Sequence, residues 1–170
     1  MELLLGCGGK RKKIMSRMGH EEWTDLFTVD MNPDHKPDLV YDISKIPLPF
    51  EDNSADEIHL YDVIEHMGQQ GDWKFFFAQF EDFWRILRHD GGLFITTPHP
   101  TSPWAWADPG HTRVIPPEAT AYLSQAEYAK QVGVTALTDY RFCYRGNFEI
   151  HLCELKPNLI THMALRAVKE

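Results

Sequence analysis

"LLLGCGGKRKK", Leu3 to Lys13, sets three leucines, three glycines within four positions and four consecutive cations side by side. An apolar run that stops at Gly6 predicts a short buried strand feeding a tight turn. A glycine-rich turn at the end of a first strand brings backbone N–H groups close to a ligand, and three ligand classes compete for it. A nucleotide-phosphate loop of the GxxxxGK[ST] kind fails, because its first glycine falls on Leu4 and Lys10 is followed by Arg11 instead of a hydroxyl. A GxGxxG dinucleotide fingerprint starts well with Gly6 and Gly8, but its third glycine falls on Arg11. An adenosine cofactor without phosphate needs only the short Gly-x-Gly turn. Lys10 to Lys13 are expected to be a solvated charge run, with only Lys10 close enough to the turn to touch a ligand.

Outward from the turn, strands and helices alternate. "LFTVD" (Leu26 to Asp30) is a second strand ending on an acid, and "DLVYDI" a third ending near Asp42. A fourth runs roughly from Glu57 to Tyr61. Apolar residues recur at three- and four-residue steps from Trp73 through Phe76, Phe80 and Phe83 to Leu87, which predicts one amphipathic helix stopped at Gly91-Gly92. "LFIT" is the next buried strand. From Pro98 a Pro-, Trp- and His-rich stretch without period predicts a long functional loop. A helix opened by Pro116-Pro117 follows, with Ala119, Tyr122, Leu123, Ala126 and Ala129 inward and a stop at Gly133. "FEIHLCEL" and "LITHMALRAV" flank Pro157-Asn158 as a terminal hairpin. Such alternation predicts an α/β fold with a mostly parallel sheet. The weak point is Lys10 to Asp25: its cations oppose the positive end of a helix dipole and only Ile14, Met15 and Met18 are apolar, so the first helix should be short or irregular.

The chain has 170 residues, 43% of them hydrophobic and 25% charged, as expected for one globular domain. Its net charge of −8 repels phosphate backbones, so extended nucleic-acid binding is not expected. Cys7, Cys143 and Cys153 fit no metal or redox spacing and read as reduced thiols of a cytoplasmic protein. No apolar run reaches a membrane-span length, and the N-terminus already reads as a strand, leaving no room for a signal peptide.

The acids then favour the phosphate-free adenosine. Asp30, 22 positions past Gly8 at the end of strand two, is placed to accept both ribose hydroxyls. Asp42, at the end of strand three, can take the exocyclic amine of adenine. A glycine turn and two acids, with no cation needed for phosphate, describe S-adenosyl-L-methionine better than NAD.

"LLLGCGG", "VDMN", "DI..IPLPFEDNSADEIHLYDVIEHM", "FWRILRHDGGLFITTPHP" and the closing hairpin, in this order, resemble the class I S-adenosylmethionine-dependent methyltransferases over most of the chain. The likeness is greatest to small stand-alone bacterial and phage members with a "DP-x-H" loop after strand five. The resemblance implies a Rossmann-like, doubly wound seven-stranded sheet of order 3-2-1-4-5-7-6, with helices on both faces and a C-terminal antiparallel hairpin. It implies a cofactor lying across the C-terminal ends of the first four strands. Gly6, Cys7 and Gly8 would line its methionine part, Asp30 and the following Met31 its ribose side, Asp42 and Ile43 its adenine, and Tyr61 its sulfonium. Three departures stand out: Leu4 replaces the usual acid of strand one, Lys10 the third glycine of GxGxG, and the N-terminal roofing helices are missing.

The candidate substrate side is the 98–133 loop and helix, read as a cap with Trp104 and Trp106 walling the pocket. His99, Asp108, His111 and, from Glu65-His66 after strand four, His66 are the candidate catalytic groups. A metal held by His99, Asp108 and His111 is not expected, because their spacing is irregular. Methyl transfer needs alignment first and a base only for a protonated nucleophile, most often a histidine. The acceptor is expected to be a small or modest-sized molecule. "YDVIEH" stands where DNA amino-methylating enzymes carry an (Asp/Asn/Ser)-Pro-Pro-aromatic motif, and neither Cys143 nor Cys153 follows a proline as a cytosine-carbon nucleophile would. Alternatives are an NAD(P)-dependent oxidoreductase or epimerase, disfavoured by Arg11 and the lack of a Tyr-x-x-x-Lys pair, and a non-catalytic adenosine-cofactor-binding subunit.

Overall fold

The computed structural model describes residues 1–17 and 19–169. Strands β1 (Glu2–Leu5), β2 (Leu26–Asp30), β3 (Leu39–Val40), β4 (Ala55–Tyr61), β5 (Leu87–Pro98), β6 (Phe148–Leu155) and β7 (Ile160–Ala167) form one sheet of order β3-β2-β1-β4-β5-β7-β6. The first five strands are parallel, and β7 lies antiparallel between β5 and β6. This is the expected order, hairpin included.

Period-two alternation turns Leu3, Leu5, Ile58, Leu60, Leu93 and Ile95 to one face. Helix α1 (Trp73–Ile86) starts where Asp72 accepts a hydrogen bond from the Phe75 N–H, and it lays Phe77, Phe80, Phe83 and Ile86 onto that face. Each such side chain contributes about 1.5–3 kcal/mol on burial. The helix stops five residues before the expected glycines. Leu87 is already extended and begins β5 opposite Ala55; Asp90, at φ +64, takes up the register shift before Glu57 meets Gly92. The helix expected after Pro117 is also broken. A 3-10 stretch, Pro117–Leu123, yields at Ser124 to α3 (Gln125–Gln131), following the short α2 (Trp104–Ala107). The break rotates the second half, so Tyr128 is buried and the alanines expected inside, Ala126 and Ala129, are exposed.

The opposite face is closed without the helix expected after β1; among the described residues, 10–25 form none. Met18 of that span lies outside the described residues. The charge run is not simply solvated either. Lys10 and Lys12 are exposed, but Arg11 donates to the carbonyls of His35 (3.1 Å) and Lys36 (2.5 Å). Lys13 is buried between Glu2 (3.0 Å) and Glu57 (2.8 Å) on β1 and β4. His59, stacked on Phe94 and edge-on to Trp23, bonds Glu57 through Nε2 (3.0 Å) and the Tyr61 hydroxyl through Nδ1 (2.7 Å). Burial pushes the His59 pKa down, toward the neutral ring that donates to Glu57 and accepts from Tyr61. Two cations of the run thus anchor an irregular segment, Lys13 to the sheet and Arg11 to the turn after β2, because extended chain cannot bond itself as a helix does.

Candidate functional site

The C-terminal ends of the parallel strands bring the predicted groups to one edge. Gly6, at φ +67, turns the chain beneath Val63: a Cβ there would lie 2.6 Å from Val63 Cγ2. The Gly6 and Cys7 amides both donate to the Val29 carbonyl (2.8 and 3.1 Å), and the Gly8 amide donates to Asp30 Oδ2 (2.8 Å). The amides expected to face a ligand are therefore already bonded within the fold. Space does remain above the turn, since a Cβ on Gly8 or Gly9 would meet nothing within 4 Å. Asp30 Oδ1 accepts from the Asn32 amide (2.8 Å), and His35 Nδ1 lies 3.2 Å from Oδ2. Burial would raise the Asp30 pKa, but these two amides and His35 hold it below the usual carboxylate value. The ionised group keeps lone pairs for a further donor.

The other cofactor candidates are arranged less directly. Burial pushes the Cys7 thiol pKa up, and Met31 and Lys10 are exposed. Asp42 accepts from the Ser44 amide (3.1 Å) and hydroxyl (2.6 Å), which lower its pKa, beside a half-buried Ile43. The Tyr61 hydroxyl accepts from the Ile14 and Met15 amides (3.2 Å each), and burial pushes its pKa up to about 12. It fastens the irregular segment across the sheet.

The second cluster lies where the cap meets the turn after β4. Ile64–His66 is a 3-10 turn that sends Glu65 inward and leaves His66 exposed. The Glu65 carbonyl accepts from the Thr112 (3.0 Å) and Arg113 (3.3 Å) amides, which docks residues 110–113 and sets His111 over Glu65. His111 Nε2 is 3.9 Å from Glu65 Oε1 and 3.8 Å from Asp108 Oδ2, and its ring meets that of His66 edge-on at 4.6 Å. His66 Nδ1 is 3.1 Å from the Gly110 carbonyl. Thr97 donates to Glu65 Oε2 (3.2 Å), and burial pushes the Glu65 pKa up to about 7. Arg113, also buried, donates to the Ile64 carbonyl (3.0 Å) and Gln79 Oε1 (2.5 Å); burial lowers its pKa to about 10. The structure thus joins His66, Asp108 and His111, whereas His99 is held by Thr101 at the start of the cap (2.7 Å). Trp104 and Trp106, expected as pocket walls, are 69% and 70% exposed. A cavity of about 330 Å³ lies instead between the start of α1 and the cap, with Trp73, Phe76, Phe77, Arg113, Tyr122 and Tyr140 in its lining.

No protein-family model matches the chain, and no curated protein matches its sequence. Solved structures do match. A SAM-dependent methyltransferase from Archaeoglobus fulgidus aligns at TM-score 0.58 and 19% identity, over 98% of this chain and 85% of its own. One from Methanosarcina mazei aligns at 0.59 and 14%, over 99% and 92%. The N-methyltransferase NodS from Bradyrhizobium japonicum aligns at 0.54 and 11%, over 99% and 85%. The fold is that of the SAM-dependent methyltransferases. Identity this low speaks for the fold alone, so chemistry on this methyltransferase fold has to be argued from its side chains.

Glu65 and Lys13 are the groups that sequence reasoning under-weighted. Glu65 stands next to the candidate His66 in the sequence, but its inward turn follows from the 3-10 geometry. Lys13 had no local sign that set it apart from its three cationic neighbours.

Proposed function

We propose that this chain is a methyltransferase using S-adenosyl-L-methionine and acting on a small or modest-sized acceptor. The observation that carries the reading is the 2.8 Å bond from the Gly8 amide to Asp30, which fixes an ionised carboxylate at the lip of the turn with open space above it. The residues fit the group: Asp30 would hold the ribose, the bare Gly8–Gly9 surface would pack against the cofactor, and Asp42 and Ile43 would border the adenine. When bound, that cofactor supplies a methyl group on a sulfonium. The chain's own work is to align an acceptor and keep water away; alignment alone supplies about 7–11 kcal/mol. The 98–133 cap and its cavity would seat the acceptor's apolar body, a size within the usual small-ligand range. An acceptor that must lose a proton would find candidate bases in His99, Asp108, His111 and His66.

Calorimetry with S-adenosylhomocysteine tests the reading. Wild type should bind one equivalent, and Asp30→Ala should lose about tenfold or more, the worth of hydrogen bonds to a charged group. Absence of saturable binding to wild type, or unchanged affinity in Asp30→Ala, sinks it. Tight cofactor binding without turnover on any acceptor would favour a non-catalytic subunit, a reading consistent with Tyr61 being committed to the 14–15 backbone.

A further inference from the structure

We propose that Glu65, His66 and His111 form a binding site for one divalent first-row transition ion. One ligand atom from each residue lies within 4.8 Å of the other two. Bonds of about 2.0–2.2 Å to a shared ion would place such atoms roughly 3–3.6 Å apart, so closure needs shifts near one ångström. His66 is exposed, so there is room around its ring for such shifts.

Proximity alone would not suffice; the bonding around these atoms supplies the second observation. Glu65 is 2% exposed, yet its Oε1 has no hydrogen-bond partner. The atom is aimed at His111 Nε2 at 3.9 Å, too far for a hydrogen bond. A buried carboxylate oxygen without a partner costs at least what an orphaned polar group costs, and a cation between it and the imidazole removes that cost. Arg113 does not, because its guanidinium bonds the Ile64 carbonyl and Gln79.

The surroundings prepare His66 as a metal ligand requires, whereas the buried His111 Nδ1 has no partner. The contact from His66 Nδ1 to the Gly110 carbonyl fixes the tautomer that leaves a lone pair on Nε2. A Cβ at Gly110 would crowd the cluster, standing 3.0 Å from His66 Nδ1 and 3.2 Å from Asp108 Oδ1. Asp108 Oδ2, 3.8 Å from His111 Nε2, is within reach as a fourth ligand. Two imidazoles and a carboxylate suit zinc, manganese, iron, cobalt or nickel better than magnesium or calcium. On the methyltransferase reading, on which this role alone rests, the ion would bind an acceptor oxygen and ease loss of its proton to solvent water. His66 and His111 would then be ligands and unable to act as the base.

The test uses untagged full-length protein stripped of metal, with neither cofactor nor acceptor, so its failure leaves the methyltransferase reading intact. Zn²⁺ is titrated by calorimetry and Co²⁺ by visible absorption. One ion per chain should bind, and Zn²⁺ should raise the unfolding temperature. Glu65→Gln and His66→Ala should each weaken binding by more than about tenfold, while His151→Ala on the far hairpin should not. His66 is exposed, so His66→Ala keeps the test decisive if Glu65→Gln misfolds. No saturable binding to wild type, or wild-type affinity in a folded His66→Ala, overturns the site.

Discussion

Replacing Lys13 with methionine isolates the least expected feature of the fold. The Lys13 side chain is 2% exposed, and its Nζ stands 3.0 Å from Glu2 and 2.8 Å from Glu57. Solvent therefore screens neither contact. Removing one partner of a buried ion pair costs about 3–5 kcal/mol. The low end applies, because Glu57 keeps His59 and the Arg17 amide (3.0 Å each) and Glu2 keeps the Thr24 amide and hydroxyl. About 3 kcal/mol is a large part of the roughly 5–15 kcal/mol that holds a domain together. It should lower Tm by about 6–12 °C in a chain of this size. Lys12→Met, at an exposed neighbour, should stay within about 0.5 kcal/mol of wild type. The pH dependence gives a second handle. Burial raises the Glu57 pKa, but bonds from His59, Lys13 and the Arg17 amide outweigh it and hold the pKa at about 2. A carboxyl held this low stabilises fully above its unfolded value near 4.5, and the contribution fades as pH falls toward 2. Without Lys13 the folded value rises, so the variant's deficit should shrink as pH drops below about 5. Urea and thermal unfolding followed by far-UV circular dichroism would measure both. A Lys13→Met protein as stable as Lys12→Met at neutral pH refutes the buried-clamp argument.

Other outcomes follow from the same geometry. Gly6→Ala combines positive φ with a Cβ that meets Val63, so it should cost about 1–3 kcal/mol in strain alone; a Gly6→Ala/Val63→Ala double mutant should recover part of the loss. His59 has a folded pKa below 6.5, so its own contribution to stability should fall as pH decreases below that value, while Glu65, with its pKa raised to about 7, contributes in the opposite sense. One proton gives a slope of at most about 1.4 kcal/mol per pH unit, and the difference in slope between wild type and His59→Gln isolates the His59 share from those of Glu65 and His162. An unchanged slope in His59→Gln would show that another group titrates there. The Asp30→Ala affinity loss and the zinc-site variants complete the set, and each is read by calorimetry without knowledge of the acceptor.

The strands, the glycine turn and the acid at the end of β2 were legible in the sequence because each is written locally: alternation of period two, a positive-φ glycine, a carboxylate at a strand end; the order of the strands came only from the family resemblance. The Phe stripe of α1 likewise announced its helix, though not its last residue, since Leu87 serves the core as well from a strand as from a helix. What only the tertiary structure decided concerns groups whose role depends on what stands opposite. Lys10, Arg11, Lys12 and Lys13 are equivalent as text, yet Lys13 alone faces two carboxylates carried by β1 and β4. Glu65 reads as one more acid before a histidine; the 3-10 turn sends it inward, and the docking of 110–113 on its carbonyl sets His111 over it. The Gly6–Gly8 amides turn into the fold because Val29 and Asp30 lie beside them. Periodicity records which face of an element is apolar; it carries nothing about which distant charge will meet a polar one, because that pairing is settled by packing between elements far apart in the chain.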